Sequence, residues 1–170
     1  MIKHIWVDVK KCTGCKSCEL ACAVEHSETK NLETAIFEEK LSQTRIIIEN
    51  ASGLPIPMQC RQCEDAPCVK VCPSKALERP SSDTPVLIHT EKCIGCKYCI
   101  IACPFGVIKM NREEKAITKC DLCFERVKTG KLPACVEICP TKALKFKTPA
   151  EESADIRKTA ANKFLVDYVN

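Results

Sequence analysis

Apolar positions in this chain come in short bursts separated by charged or turn-forming residues. Alternation at 4–9 predicts a strand, as does 86–89 after the turn-like Arg79-Pro-Ser-Ser-Asp-Thr84. A further pair is expected at 107–110 and 115–118 across Asn111-Arg-Glu-Glu114. Short helices are expected near 16–26, 67–71, 97–102, 121–129 and 134–138. Residues 27–59 read differently: a polar, helix-like stretch from Glu28 to Lys40, then a strand at Arg45-Ile-Ile-Ile-Glu49, then Gly53-Leu-Pro-Ile-Pro57. At 150–169, Ile156, Ala160, Phe164 and Val169 fall near one stripe of a helix, joined by Leu165 and Tyr168. That stripe fits either packing on its own domain or docking and self-assembly. The outline is α+β with a small hydrophobic core.

Composition explains how so little core can suffice. Of 170 residues 16 are cysteine, while aromatic residues supply only 5%. So many thiols mean disulfides, zinc or iron–sulfur clusters. The opening Met1-Ile-Lys-His-Ile-Trp-Val-Asp8 has no apolar core of signal-peptide length. The longest uncharged run, Tyr98 to Ile108, falls far short of the roughly 18–20 residues of a membrane helix and contains Pro104. A cytoplasmic location without a membrane span is therefore expected, and reducing cytosol disfavours eight disulfides. None of the five glycines forms a dinucleotide fingerprint or a phosphate loop.

The cysteines fall into four sets of four. The first is Cys12, Cys15, Cys18 and Cys22; the second Cys60, Cys63, Cys68 and Cys72; the third Cys93, Cys96, Cys99 and Cys103; the fourth Cys120, Cys123, Cys135 and Cys139. The first and third have the spacing in which three thiolates grip one 4Fe-4S cube and the fourth Cys serves another, so the sets must work in pairs. Pro73, Pro104 and Pro140 follow the last Cys of three sets. Pro suits a first helical position, so the fourth Cys is expected at the start of a short helix. Gly14 and Gly95 suit loops that wrap a cube closely and lend it N–H groups. Four sets give four clusters with no thiol left over.

Zinc is the plain alternative, because C-x2-C pairs also form zinc knuckles. Tetrahedral zinc gives no reason for the third and fourth thiols at x2 and x3 before Pro. The C-x3-C-x2-C spacing of radical enzymes is absent, and His4, His26 and His89 lie outside ligand spacing, which makes them surface or strand residues. The cysteines are then ligands, not nucleophiles, and no catalytic residue is assigned.

The formal charge of +4 changes meaning once clusters are counted. Sixteen thiolates contribute −16 and four oxidised cubes return +8, leaving about −4. Lys11, Lys16, Lys92, Lys97 and Lys119 lie beside ligands, where positive charge favours the reduced cube. With few aromatic residues and no basic run interleaved with them, nucleic-acid binding is not supported.

An internal repeat relates the sets. Trp6-Val-Asp-Val-Lys-Lys-Cys-Thr-Gly-Cys-Lys-Ser-Cys18 parallels Leu87-Ile-His-Thr-Glu-Lys-Cys-Ile-Gly-Cys-Lys-Tyr-Cys99, and Cys72-Pro-Ser-Lys-Ala-Leu77 parallels Cys139-Pro-Thr-Lys-Ala-Leu144. Spacing allows a nested pairing, second with third inside first with fourth, and equally a tandem one.

At these residues, which span 12–140, the chain resembles the four-cluster iron–sulfur subunits that accompany molybdenum or tungsten pterin oxidoreductases, hydrogenases and carbon monoxide dehydrogenase. It is similar in character to the short members in formate dehydrogenase–hydrogenase assemblies, of the formate hydrogenlyase and hydrogen-dependent carbon dioxide reductase type. The resemblance implies a duplicated two-cluster, bacterial-type ferredoxin fold stapled by its clusters. It implies nested pairing: Cys12, Cys15 and Cys18 with Cys139; Cys120, Cys123 and Cys135 with Cys22; Cys60, Cys63 and Cys68 with Cys103; Cys93, Cys96 and Cys99 with Cys72. The cubes would form a wire in the order first, fourth, second, third. Residues 1–26 with 111–148 would form an outer half, 60–110 an inner half, 27–59 an insert and 149–170 a terminal helix. Ala23 departs from the family's Cys-Pro, so the helix carrying Cys22 is expected to differ.

The implied function is non-catalytic electron transfer between a formate dehydrogenase or carbon dioxide reductase and a hydrogenase in a cytoplasmic complex. The partners would be those catalytic subunits, with a related iron–sulfur subunit or self-assembly through 150–169. The alternatives are an electron carrier for carbon monoxide dehydrogenase and a scaffold that polymerises the complex through its terminal helix.

A two-cluster half of about 60 residues buries too little apolar surface to be secure alone, so iron–thiolate bonds must supply what a core would. Chelating the iron is expected to unfold the chain, read as loss of its circular-dichroism spectrum; a spectrum that survives chelation contradicts this.

Overall fold

The computed structural model describes residues 2–169, the last four of them by backbone alone. In chain order its elements are β1 (His4–Val7), α1 (Ser17–Glu25), α2 (Leu32–Ala35), β2 (Ile46–Ala51), β3 (Leu54–Gln59), α3 (Pro67–Lys70), β4 (Leu77–Glu78) and β5 (Leu87–Ile88). They continue with α4 (Tyr98–Ala102), β6 (Lys109–Met110), β7 (Ile117–Thr118), α5 (Phe124–Lys128), α6 (Ala134–Ile138), β8 (Leu144–Lys147) and α7 (Pro149–Val169).

The repeat becomes a repeated strand pairing. β1 runs antiparallel to β8, with Val7 opposite Leu144, and β4 runs antiparallel to β5, with Leu77 opposite Ile88. The next bond recurs too: Asp8 N–H donates to Ala143 O and His89 N–H to Ala76 O, both at 2.8 Å. So the first strand of the chain closes on its last, while the second copy closes locally. Two hairpins complete the set, β2–β3 and β6–β7, the latter placed as the alternation predicted.

Differences from expectation have local causes. The stretch 28–40 forms a single helical turn, α2, because Asn31 Oδ1 caps it by accepting from Glu33 N–H at 2.9 Å and the Glu38 carboxylate takes the Thr29 N–H at 2.8 Å. β3 lay hidden behind Pro55 and Pro57. Two prolines spaced two apart turn the same side of the strand away from the ladder, so neither removes a bond to β2. The two-residue β4 is too short to show alternation, whereas β8 does alternate, as Leu144-Lys-Phe-Lys147, and goes unseen only because the run is four residues long.

Apolar packing divides into two cores built around sulfur. Ile5, Ile46, Leu122, Val136 and Leu144 surround Cys18, Cys22, Cys120, Cys135 and Cys139; Leu77, Val86, Ile108 and Ile117 surround Cys68 and Cys99. Ile46 of the cysteine-free segment belongs to the first core and Ile117 to the second. Arg126 ties the first core's helices together, its guanidinium reaching Glu25 of α1 at 2.7 Å and also Glu137 of α6.

α7 starts on a capping box, Thr148 Oγ1 accepting from Glu151 N–H at 3.2 Å while Glu151 accepts from Thr148 N–H at 2.8 Å. Lys147 anchors it to β8 through Asp155 and Glu152. Beyond that turn Ile156, Phe164 and Leu165 are exposed, so the stripe does not pack on its own domain. The side chains of Tyr168 and Val169 lie outside the described residues.

The two cores are joined through Gln62, which is 2% exposed. Its Nε2 donates to Cys120 O at 2.9 Å and its Oε1 accepts from Val86 N–H at 2.8 Å. Gln62→Leu is expected to destabilise the iron-loaded protein by about 1–3 kcal/mol, because it strands the buried Val86 N–H and takes from Cys120 O one of its two donors, the other being Lys119. A lowered denaturation midpoint checks this.

Candidate metal centres

Each set opens on backbone bent into the left-handed region. Gly14 (φ 70°) and Lys16 (φ 59°) turn the first loop; Gly95 (φ 67°) and Lys97 (φ 65°) turn the third. A Cβ on Gly14 would meet Pro55 Cβ at 3.1 Å, and one on Gly95 would meet Lys115 O at 3.1 Å. The glycines therefore serve two ends at once, the positive φ and the close fit beneath β2–β3 or β6–β7. The second and fourth loops reach the same bend without glycine, at Gln62 (φ 53°), Leu122 (φ 61°) and Cys123 (φ 51°), each at a cost of about 1–3 kcal/mol. Bends of this kind aim successive N–H groups at one concave point, which suits an anionic group.

The fourth Cys of a set closes a helix instead of opening one. Cys103 and Cys139 are the C-caps of α4 and α6, and Cys72 follows α3. The residue before a proline is steered out of the helical region, so Pro73, Pro104 and Pro140 end each helix at its cysteine. At Ala23 nothing stops it, and α1 carries Cys22 inside its length to Glu25.

The sulfurs then meet at four places. Cys12, Cys15, Cys18 and Cys139 line one small cavity, with Ile48 and Pro57 of the cysteine-free segment over it. Cys60, Cys63, Cys68 and Cys103 line a second, beside Val86 and Ile108. Around Cys135, whose thiol burial pushes far up, Cys120, Cys22, Cys123 and Cys18 raise it further. Around Cys99, pushed up to about 11 by burial, Cys68, Cys72, Cys93 and Cys96 do the same. Burial likewise takes Cys18 to about 11 and Cys123 to about 12.

This is how a set of ligands behaves before its metal is counted. None of the sixteen cysteines is tied up in a disulfide. Burial and mutual repulsion hold most of the inner ones neutral, so only a cationic core placed among them can keep them as thiolates. The donors fit four iron–sulfur cubes in number, element and grouping. Groups that stabilise anionic sulfur are already in place. Arg45 N–H donates to Cys22 Sγ at 3.2 Å and Leu122 N–H to Cys120 Sγ at 3.4 Å. The Ser17 hydroxyl, 3.5 Å from Cys15 Sγ, lowers that thiol. Despite partial burial, N–H groups from Leu77 and Leu144 and the neighbouring Ser74 and Thr141 hydroxyls hold Cys72 and Cys139 low.

Sequence reasoning missed several contributors. His26, expected as a surface or strand residue, follows α1 with its Nε2 3.7 Å from Asp121 Oδ1 and 4.0 Å from Cys123 Sγ; burial, aided by Arg45, depresses it to about 4. Arg45 Nη1 grips Asp121 Oδ2 at 2.7 Å. Arg79 Nη2 fastens the second loop by donating to Gln62 O and Cys63 O, both at 2.9 Å. None of these lies in a sequence motif; folding brings them to the site. Of the other histidines, His4 lies in β1 and His89 faces Glu78 at 2.6 Å.

Comparison with known proteins gives the same chemistry. A 4Fe-4S dicluster domain matches residues 52–149 and a second matches 11–77. An iron-sulfur protein of Rhodospirillum rubrum is 44% identical over 154 residues, covering 84% of this chain and 80% of its own. The B subunit of the anaerobic dimethyl sulfoxide reductase of Escherichia coli (strain K12) is 39% identical over 146 residues, covering 83% and 71%. The corresponding subunit of Haemophilus influenzae is 35% identical over 157 residues, covering 86% and 74%. Among solved structures, one polypeptide of the BamBC active-site complex of benzoyl coenzyme A reductase aligns over 99% of this chain and 96% of its own, at 18% identity and a TM-score of 0.46. The two matched stretches, which overlap at 52–77, together contain all sixteen cysteines. The protein belongs to the 4Fe-4S dicluster domain family and carries four 4Fe-4S clusters, as an iron–sulfur electron-transfer subunit of an oxidoreductase.

Proposed function

We propose that the sixteen cysteines bind the clusters in nested pairs and that the chain relays single electrons along them between two redox partners. Cys12, Cys15, Cys18 and Cys139 hold one cube; Cys22, Cys120, Cys123 and Cys135 the next; Cys60, Cys63, Cys68 and Cys103 a third; Cys72, Cys93, Cys96 and Cys99 the last. The two cavities and the two groups of mutually raised thiols support these sets.

The observation that carries the relay is that neighbouring sites are joined in a single file. α1 carries Cys18 of the first site and Cys22 of the next one turn apart, Gln62 in the loop between Cys60 and Cys63 donates to Cys120 O at 2.9 Å, and Cys68 and Cys99 share one core. That path supports the order first, fourth, second, third. Bound there, each cube accepts and releases one electron at a potential that its surroundings set. The chain's own residues hold the sulfurs and exclude water most from Cys22, Cys120, Cys123 and Cys135, all four buried, while each of the other three sites keeps cysteines that are partly or fully exposed. Cys120, Cys123 and Cys135 are buried, Cys15 is exposed, and Ile94, Tyr98 and Ile101 stand exposed around the last site. No side chain in this arrangement acts on a substrate bond.

The partners are catalytic subunits of larger oxidoreductases, which the relatives' names support. A dimethyl sulfoxide reductase-like catalytic subunit is one candidate. The resemblance to formate dehydrogenase–hydrogenase subunits supports a sharper reading, transfer between a formate-oxidising or carbon dioxide-reducing enzyme and a hydrogenase. Exposed Ile156, Phe164 and Leu165 on α7 favour a second role for that helix as an assembly contact. Among the described residues no helix is long and apolar enough to cross a membrane.

Pairing is tested by iron content. Cys22→Ala with Cys135→Ala is expected to cost about four irons, as one cube, whereas Cys22→Ala with Cys68→Ala costs about eight. The reverse result establishes tandem pairing. Co-purification from the native host with mass spectrometry checks the partners: a formate dehydrogenase and a hydrogenase together support the sharper reading, and a reductase catalytic subunit alone sinks it. Removing residues 149–170 is expected to leave cluster content intact and to shrink the complex, read by light scattering; unchanged size removes the assembly role.

A further inference from the structure

Five lysines lie beside ligands in sequence, and four of them, Lys11, Lys16, Lys92 and Lys97, are exposed. Lys119 is 1% exposed, the largest side chain among those that are fully buried. Its Nζ donates to Val86 O at 2.5 Å and to Cys120 O at 2.8 Å. Among the described residues no carboxylate stands against it. Asp121, two residues on, is held by Arg45 at 2.7 Å and faces His26 at 3.7 Å. The same two backbone segments are already clasped by Gln62, through Val86 N–H and Cys120 O. An ammonium is therefore not needed to join them, and burying one without an acid is costly.

What compensates the charge lies on either side. The Lys119 Nζ sits between Cys120 O of the fourth set and Val86 O, and Val86 lines the cavity that Cys60, Cys63, Cys68 and Cys103 share. Four thiolates around an oxidised cube leave a net charge of −2, and an added electron makes it −3. A positive charge fixed between two such groups, in a medium that screens it weakly, stabilises the extra electron on either neighbour. Exposed lysines at the other loops are screened by water and do this far less.

We propose that Lys119 is a positioning residue whose buried charge selectively raises the reduction potentials of the two middle cubes and so sets the step by which an electron crosses between the outer and inner halves. This rests on the ligand assignment proposed above. No bond forms or breaks, and the only change is one electron gained or lost at a cube supplied by the redox partners.

The test is a potentiometric titration of the iron-loaded protein followed by electron paramagnetic resonance, on Lys119→Gln and Lys119→Arg. Lys119→Gln keeps N–H donors for both carbonyls and removes the charge. It is expected to move two of the four one-electron steps to more negative potential and to leave the other two in place. Lys119→Arg, which retains a cation there, is expected to leave all four steps in place even where stability falls. Four unmoved steps in Lys119→Gln, or four that move alike, overturn the proposal, as does an equal shift in Lys119→Arg, which marks a structural effect. A Lys119→Gln protein that cannot hold its iron while Lys119→Arg can also overturns it, because the cation then retains clusters instead of tuning them. The iron counts of the cysteine pairs test the assignment separately, so its failure is distinguishable from failure of the lysine's role.

Discussion

The structure depends on one unfavourable act, the withdrawal of sulfur ligands from water. A buried thiol resists ionisation, and thiols buried together resist it more. Cys135 shows both effects, pushed up first by burial and then by Cys120, Cys22, Cys123 and Cys18. Left as thiols, these groups would give two thin cores in which cysteine occupies places that Leu or Val would fill in an ordinary domain. With cationic iron and sulfide among them, the repulsion becomes the main cohesive term. The elements then need only to be placed, not to be independently stable, which is why β4, β5, β6 and β7 are each two residues long.

Two devices do the placing. Left-handed backbone at Gly14 and Lys16, and again at Gly95 and Lys97, curls the three-cysteine loops tightly enough for sulfur and N–H to face one point. Proline after the last cysteine then ends a helix at that residue, and Cys139 comes to line one cavity with Cys12, Cys15 and Cys18 while Cys103 lines another with Cys60, Cys63 and Cys68. At the first set a continuous helix takes the place of the Cys-Pro stop. α1 places Cys18 in the first of these cavities and carries Cys22 one turn further on.

Much of this was legible in the sequence because cysteine spacing is a local code. The four sets, the repeat of Trp6–Cys18 in Leu87–Cys99, and the positions of α1, α4, α6 and the β6–β7 hairpin all follow from short-range rules. What stayed hidden depends on distant contacts. β8 alternates over only four residues, Leu144 to Lys147, and gains its place through pairing with the distant β1, and β3 disguised itself with two prolines that the hairpin tolerates. The direction of the Cys-Pro signal was misjudged, since proline both starts and stops helices and only the preceding residues decide which. His26 illustrates the limit best. Nothing around it in sequence marks it as different from His89, yet burial beside Cys123 and Asp121 places it at a site that His89 never approaches.

Charge shows why an electron relay, and not merely a metal-stapled scaffold, fits these residues. A scaffold gains from neutralising each cluster evenly and from covering all of them. Here the treatment is uneven. Cys15 at one end of the file is exposed and two further sites keep three partly exposed cysteines each, while Cys22, Cys120, Cys123 and Cys135 are all closed off from water. Water at an end lowers the cost of placing charge there and lets a partner approach. In the closed middle an electron's charge cannot be met by solvent, and fixed groups must meet it instead. Arg45 and its N–H at Cys22, with the Asp121–His26 pair beyond, supply part of that response on one side, and Arg79 fastens the loop that bears Cys60 and Cys63 on the other. Such dipoles are set when the chain folds, so they need not reorient each time an electron passes, and a path lined in this way favours transit over storage.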